Sequence, residues 1–163
     1  MNKAPMSVQT PTVVAVNISA GGIPKRPVLE SQLTVDGLEG DLHEHEKHRR
    51  PDRAVSIQDL EILDELQAEG FSVAPGLMGE NLTVRNLQVQ SLRVGDRLQF
   101  DSGVVLELTA IRKPCFVLDQ IHPKLKETVV GRCGFMGKVI VTGVLRPGQN
   151  INVQKASLNP CET

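Results

Sequence analysis

The chain has very few aromatic residues: its 163 residues include four Phe and neither Trp nor Tyr. Proteins that bind single-stranded nucleic acid stack bases on aromatic side chains, and membrane proteins place Trp and Tyr at the bilayer interface. Net charge is also close to zero, because 18 Lys and Arg face 19 Asp and Glu, so no overall field attracts nucleic acid or anionic lipid. The composition therefore predicts neither a nucleic-acid partner nor a membrane partner.

Cysteine and long apolar runs are equally scarce. The chain has an odd number of cysteines, at Cys115, Cys133 and Cys161, and their spacing does not repeat. Neither a disulfide framework nor a zinc knuckle is expected from that pattern, and a reducing compartment suits it best. The apolar run over residues 13–18 is too short for a signal peptide or a transmembrane helix. We therefore expect a cytoplasmic protein.

The length fits one globular domain, since domains commonly have about 100 to 200 residues. We expect a flexible N-terminal segment over residues 1–12, a folded domain over residues 13–154 and a tail over residues 155–163.

Short runs of Val, Leu and Ile lie between 14 Gly and 10 Pro, which is typical of many short strands joined by turns. The sequence "FDSGVV" predicts a hairpin, because Asp-Ser-Gly supplies the turn chemistry between two alternating runs. The predicted strands are 13–18, 32–35, 81–84, 96–100, 104–111, 138–145 and 151–153.

One segment has helical spacing. Ser56 is followed by apolar residues at every third position, namely Ile57, Leu60, Leu63 and Leu66. Ser56 can cap the first turn of such a helix and Gly70 can end it, and a shorter helix is predicted after Pro123. A mainly β chain with a few short helices suits a closed β-barrel better than a doubly wound sheet, because strands and helices do not alternate regularly.

The segment "AIRKPCFVLD" places a cysteine directly after a strand-like run and two cations. Arg112 and Lys113 favour the ionised thiolate of Cys115, which is the nucleophilic and metal-binding form. Pro114 restricts Lys113 to extended geometry, so the thiol would lie at a strand end. The alternative is that Cys115 is a small buried hydrophobic residue, as free cysteines often are.

The segment "GDLHEHEKHRRPDRAVS" concentrates histidines and charges. His43 and His45 would share one face of a strand, which allows a metal site of the His-X-His type. Charge runs are more often solvated loops, and Gly40 and Pro51 at the borders favour a loop. Binding of an anion by His43 or Arg53 is favoured over a metal, because Arg53 leads into the predicted helix, whose N-terminus attracts anions.

Two glycine-containing segments could also approach a ligand. In "PGLMGENLTV", Glu80 and Asn81 follow two glycines, and the amide of Asn81 either pairs with the edge of a heterocycle or serves only its own turn. In "GRCGFMGK", Arg132 lies among three glycines, although the segment lacks the Lys-Ser/Thr ending of a P-loop. Nucleophile elbows, dinucleotide fingerprints and HExxH segments do not occur.

Taken in order, five segments resemble the MOSC domain, which is named for the C-terminal domain of molybdenum cofactor sulfurase. The resemblance runs from about Val14 to Val153 and implies a β-barrel with a few helices. The segments are "GLEGDLHEHEKHRRPDRAVS", "PGLMGENLTV", "LRVGDRL", "IRKPCFVLD" and "GRCGFMGKVIVTGVLRPGQNI".

The resemblance implies a site for molybdenum cofactor, a pterin dithiolene that carries molybdenum and a phosphate. Cys115 and Arg112 match the cysteine and arginine of the family's Arg-X-Pro-Cys segment, so Cys115 would ligate molybdenum or carry sulfur as a persulfide. Arg112 and Lys113 would pair with the phosphate of the cofactor. Other residues match recurring family positions and are candidate cofactor contacts: Asp41, His43, Arg53, Glu80, Asn81 and Arg132.

Three functional hypotheses follow. The first is an oxidoreductase that reduces small N-hydroxylated compounds with Cys115 as molybdenum ligand, and it needs an electron-transfer partner because the chain has no flavin, haem or iron-sulfur motif. The second is a sulfur-carrier or cofactor-delivery protein in which Cys115 accepts persulfide from a pyridoxal-phosphate-dependent cysteine desulfurase. The third is a metal-dependent hydrolase or isomerase built on His43, His45 and His48.

Overall fold

The computed structural model describes residues 9–42 and 51–157, and these form a mainly β structure with two α-helices. Three short 3-10 helices cover Pro51–Arg53, Val89–Ser91 and Phe116–Gln120. The strands are β1 (Thr12–Ile18), β2 (Arg26–Val28), β3 (Ser31–Thr34), β4 (Gly37–Leu38), β5 (Val55–Asp59), β6 (Leu82–Arg85), β7 (Arg97–Phe100), β8 (Val105–Ile111), β9 (Phe135–Val141), β10 (Gly143–Leu145) and β11 (Ile151–Gln154), and the α-helices are α1 (Leu60–Ala68) and α2 (Leu125–Thr128).

Eight strands form one sheet in the order β11-β7-β8-β9-β5-β6-β1-β2, and β10-β3-β4 form a second, smaller sheet. The predicted closed barrel is wrong, because neither sheet closes on itself over the described residues. Along β1, residues Val16 to Ile18 pair with β2 on the edge away from β6. The contact between β1 and the chain before β11 is short: Thr12 bridges Asn150, and backbone hydrogen bonds join Val13 to Gln149 and Gly148.

Alternating apolar residues of the large sheet fill the main core. Leu98 and Phe100 of β7 and Leu106 and Leu108 of β8 are buried, as the two-residue period of a strand requires. A second, smaller core joins α1, the Phe116–Gln120 helix and α2, with Met78 and Cys133 from the connecting loops. The second core fixes the loops that carry the site described below.

The predicted helix after Ser56 is wrong in its first turn, because residues 55–59 form β5. All five residues of β5 are buried, and the strand pairs with β9 on one side and with β6, in parallel, on the other. The helix therefore begins at Leu60, and Ser56 does not cap it. Gly70 follows the helix with φ +101°, as the sequence predicted for its end.

The other predicted strands are confirmed to within a few residues, apart from one division. Residues 138–145 split between β9 in the large sheet and β10 in the small one. The predicted hairpin is β7 and β8, which pair antiparallel, and the predicted helix after Pro123 is α2. No helix in the described ranges is long and apolar enough to cross a membrane.

Candidate functional site

The segment after β8 presents Cys115 to solvent in extended geometry. The backbone N–H of Arg112 donates to the carbonyl of Gly134 at 2.9 Å, which ties the end of β8 to the residue before β9. Cys115 has φ −115° and ψ 149° and precedes the Phe116–Gln120 helix. Its thiol is free and exposed, so the reading of Cys115 as a buried hydrophobic residue is wrong. Lys113 is also exposed and makes no ion pair with any described residue.

The side chain of Arg112 joins this segment to the turn over residues 74–79. Its Nη2 donates to the carbonyl oxygen of Met78 at 2.7 Å. Gly79 follows with φ +87°, and a Cβ at Gly79 would lie 3.0 Å from Arg112 Nη2 and 3.0 Å from Ile23 Cγ2. Only glycine fits this point without displacing a neighbour.

Glu80 lies behind that turn and is fully buried. Its Oε1 accepts the N–H of Gly76 at 3.0 Å, and its Oε2 accepts the hydroxyl of Thr83 at 3.1 Å. Burial raises the pKa of Glu80 to about 7, while the positive charge of Arg112 opposes that rise. Both carboxylate oxygens of Glu80 thus accept hydrogen bonds from groups within the protein.

The side chain of Asn81 is likewise used inside the protein. Its Nδ2 donates to Asp41 Oδ2 at 2.9 Å and to the carbonyl of Asn17 at 3.3 Å. Its Oδ1 accepts the backbone N–H of Ser56 at 3.1 Å. The amide therefore connects β1, β5 and the loop that carries Asp41, which are segments distant in the sequence, and so it does more than serve its own turn.

Asp41 forms a nearly buried ion pair with Lys25. The distance from Lys25 Nζ to Asp41 Oδ1 is 2.5 Å, and the side chain of Asp41 is 2% exposed. The same Oδ1 accepts the N–H of Ser19 at 2.9 Å. Asp41 therefore fixes the loop between β1 and β2.

That loop borders a groove of about 420 Å³. The volume lies within the range of roughly 300 to 1,000 Å³ that is usual for small-molecule sites. Arg26 is the charged residue of its wall; it is exposed and has no ion pair within the described ranges. The lining residues are Ile18, Ser19, Ala20, Gly21, Ile23, Pro24, Arg26 and Gly40. Because Ile23 and Arg112 both contact Gly79, the groove wall and the segment that leads to Cys115 meet there.

The side chains of two further predicted cofactor contacts make no hydrogen bond or ion pair with the site residues described above. Arg132 donates to Glu69 Oε2 at 2.6 Å and to Glu65 Oε2 at 3.3 Å, so its charge is paired with α1. The ion pair with Arg132 lowers the pKa of Glu69. Arg53 is exposed at the end of the Pro51–Arg53 helix, without a side-chain partner among the described residues.

The predicted histidine site lies outside the described residues. His43, His45 and His48 all belong to residues 43–50. Over residues 9–42 and 51–157, no group of three or more His, Cys, Asp or Glu side chains is arranged to bind a metal ion.

Sequence reasoning missed three residues: Asn17 in β1, Lys25 at the end of the β1–β2 loop and Arg26 at the start of β2. Asn17 is fully buried, its Nδ2 donates to Thr83 Oγ1 at 3.0 Å, and its Oδ1 has no partner among the described residues. The signal that could have identified Asn17 is its position as a polar residue near the end of the apolar run 13–18. Lys25 and Arg26 carried none, because their roles depend on residues distant in the sequence.

The donor set suits an anionic ligand that carries a soft metal. Cys115 supplies an accessible sulfur, and soft thiolates select soft or sulfur-ligated metals over hard cations. Lys113 and Arg26 supply positive charge for a phosphate, and the adjoining groove supplies room for a heterocycle. The described residues are therefore compatible with a phosphorylated, sulfur-ligated metal cofactor.

Comparison with known proteins gives one family and two similar sequences. A family model described as MOSC domain matches residues 44–152. A protein named Reductase from Gibberella moniliformis is 31% identical over 127 residues, which are 72% of this chain and 22% of that protein. The uncharacterized protein YflK from Bacillus subtilis is 31% identical over 143 residues, which are 81% of this chain and 62% of that protein. The chain thus spans less than two thirds of each relative.

The fold is shared with a solved structure. The YUAD protein from Bacillus subtilis superposes with a TM-score of 0.77 and 21% sequence identity, over 91% of this chain and 98% of that one. At this identity the likeness concerns the fold.

Proposed function

This chain belongs to the MOSC domain family, and from that premise we propose that it binds molybdenum cofactor with Cys115 as a ligand of the metal and reduces small N-hydroxylated compounds. One observation carries the proposal: the thiol of Cys115 is exposed and follows Arg112, whose guanidinium meets the wall of the groove at Gly79. The sulfur and two cations thus lie on one segment, and the Arg112 side chain of that segment lies near Ile23 of the groove wall. The name of the fungal relative, a reductase, supports the reaction class.

In this proposal the protein binds and orients the cofactor, which when bound supplies the two-electron redox chemistry. Cys115 contributes its sulfur as a ligand, so the thiol must lose its proton before binding. Lys113 and Arg26 would pair with the phosphate, and Arg112 would add positive charge to the site. The groove lined by Ser19 and Pro24 would hold the pterin.

The substrate would approach from the side of Phe116. This side chain is 70% exposed and directly follows Cys115, so it offers an apolar surface next to the sulfur. Reduction of an N-hydroxyl group takes two electrons and two protons, breaks the N–O bond and releases water. The electrons would come from a partner protein.

Purification from a host that makes abundant molybdenum cofactor tests the proposal. We expect molybdenum and pterin in near-equal amounts with the wild-type chain, and reduction of an N-hydroxylated amidine with a reduced viologen dye as electron donor. Cys115→Ser should lose the reduction, whereas Cys133→Ala, which changes a buried thiol, should keep it. A wild-type protein that binds neither molybdenum nor pterin under these conditions contradicts the proposal.

A second candidate function is sulfur transfer, which the exposure of Cys115 favours because a partner protein could reach the thiol directly. In that case a cysteine desulfurase would pass its persulfide sulfur to Cys115, and the partner's own thiol would be restored. Incubation with a cysteine desulfurase and cysteine, followed by mass spectrometry of the peptide that contains Cys115, should then show one added sulfur atom. An unmodified peptide contradicts this function.

A further inference from the structure

The buried carboxylate of Glu80 has no part in the binding scheme above. The family resemblance makes it a candidate cofactor contact, yet its side chain is inaccessible to any ligand. Its two oxygens accept hydrogen bonds from Gly76 and Thr83, and its backbone carbonyl accepts one from Asn17 Nδ2 at 3.2 Å. Burial of a carboxylate costs free energy unless the group is hydrogen-bonded and paired with a charge, so its bonded neighbours indicate its role.

The hydrogen bond to Gly76 fixes the turn over residues 74–79. Gly76 has φ +86°, and its carbonyl accepts the N–H of Gly79 at 3.0 Å and the N–H of Lys25 at 2.9 Å. A Cβ at Gly76 would lie 2.2 Å from the carbonyl oxygen of Lys25, so the two chain segments are in direct contact. Glu80 thus determines where the turn lies relative to the groove wall.

The same turn positions Arg112, because the carbonyl of Met78 accepts the hydrogen bond from Nη2. Arg112 also acts on Glu80 electrostatically: its charge lowers a pKa that burial would otherwise raise further. The described residues give no direct ion pair between the two side chains. The carboxylate and the guanidinium therefore interact through the turn and through space.

We propose that Glu80 is a positioning residue that acts through Arg112: it fixes the turn that accepts the Arg112 hydrogen bond and supplies the counter-charge behind the guanidinium, without touching the ligand. The importance of this positioning of Arg112 for cofactor binding rests on the function proposed above, in which Arg112 adds charge to the cofactor site. The positioning itself is a property of the protein alone.

The charged and polar groups around Glu80 are few. Arg112 faces it from the end of β8, and Thr83 and Asn17 face it from β6 and β1. Lys25 and Asp41 neutralise each other in an ion pair, and Asp41 accepts a hydrogen bond from Asn81. Arg112 is therefore the charge most directly coupled to Glu80.

The test follows the side-chain ¹⁵N resonances of Arg112 by NMR through a pH titration of the full chain. In the wild type we expect an inflection near pH 7, the value to which the pKa of Glu80 is raised. Glu80→Gln should abolish the inflection, because the amide keeps the acceptor for Gly76 but cannot ionise. Below the inflection, the Arg112 resonances of Glu80→Gln and wild type should coincide.

Two further variants separate positioning from a general structural role. Asp59→Asn removes another buried carboxylate, whose pKa burial raises to about 6, at the opposite end of β5; it should leave the Arg112 inflection unchanged. Thr83→Val removes a donor that favours the charged form of Glu80, so it should move the inflection to higher pH. If Glu80→Gln fails to fold, the inflections of these two variants still test the proposal.

An Arg112 resonance that shows no inflection in the wild type, or the same one in Glu80→Gln, overturns the proposal. A fall in melting temperature in Glu80→Gln with the Arg112 titration unchanged also overturns it, since that is the result of a purely structural role. The measurement uses protein without added cofactor. Absence of molybdenum binding with the Arg112 inflection intact would therefore count against the proposed function alone.

Discussion

The guanidinium of Arg112 donates a hydrogen bond of 2.7 Å to the carbonyl oxygen of Met78, 34 residues earlier in the chain. This contact joins the segment that leads to Cys115 to the turn that precedes Glu80 and Asn81. Two of the five segments on which the family resemblance rests are thereby adjacent in space. Met78 itself is buried in the second core, so the carbonyl that accepts the bond has little freedom to move.

Gly79→Ala should displace Arg112. A methyl group there would lie 3.0 Å from Nη2, and the mobile end of a long side chain gives way more easily than backbone. We expect molybdenum content after expression in a cofactor-rich host to fall well below that of the wild type, with a loss of folding stability of about 1 to 2 kcal/mol from the left-handed backbone.

Gly103→Ala is the matched control, because Gly103 has φ +91° and a Cβ there meets nothing within 4 Å. It should show a similar loss of stability, measured by urea unfolding, and normal molybdenum content. Equal molybdenum content in the two variants would refute the role given to Arg112.

Glu80→Gln should change how stability depends on pH. A Glu carboxyl ordinarily has a pKa of 4.5, and burial raises the pKa of Glu80 to about 7, so between these values the folded state binds more protons than the unfolded state. The free energy of unfolding of the wild type therefore falls as pH rises through this window, by on the order of 3 kcal/mol from this group. The variant should lack this fall, so its stability relative to wild type should rise with pH.

Urea unfolding of both proteins at pH 5 and pH 8 measures the effect. Asp59 has a raised pKa as well, and its contribution has the same sign, but it is present in both proteins and cancels in the difference. A constant difference between the two pH values would show that the pKa of Glu80 is not raised by burial.

Arg132→Gln should affect the contact with α1 rather than the site. Its guanidinium is paired with Glu65 and Glu69, which are largely exposed. We expect a small decrease in melting temperature that shrinks at high salt, because screening already weakens such pairs, and an unchanged molybdenum content. A loss of molybdenum comparable to that of an Arg112→Gln protein would contradict this prediction and show that Arg132 contributes to cofactor binding.

Much of the strand pattern could be predicted, because alternation and turn residues are local signals. The period-2 run at β8 and the hairpin with β7 depend on neighbouring residues alone. The helix prediction failed because Ile57 and Leu60 keep a three-residue spacing across a strand-to-helix boundary. Only the pairing of β5 on both edges decides that Ile57 belongs to a strand, and that pairing is nonlocal.

The sequence could not predict that the barrel stays open, nor which partners the charged residues have. Both depend on nonlocal pairing. Val16 to Ile18 of β1 pair with β2, a three-residue strand that contains Pro27 and gives no recognisable signal. Among the candidate site residues, Cys115 was identified by its local neighbours. The engagement of Asp41 by Lys25, and of Arg132 by α1, depends on how distant segments pack.

The central claim is that the sulfur of Cys115 ligates molybdenum. Cys115 is exposed and its thiol makes no hydrogen bond to the described residues, so Cys115→Ser should leave the melting temperature close to that of the wild type. X-ray absorption at the molybdenum edge counts the sulfur neighbours of the metal directly. In samples loaded with cofactor, we expect one sulfur neighbour fewer in Cys115→Ser than in the wild type; an equal sulfur count in the two proteins would contradict the account.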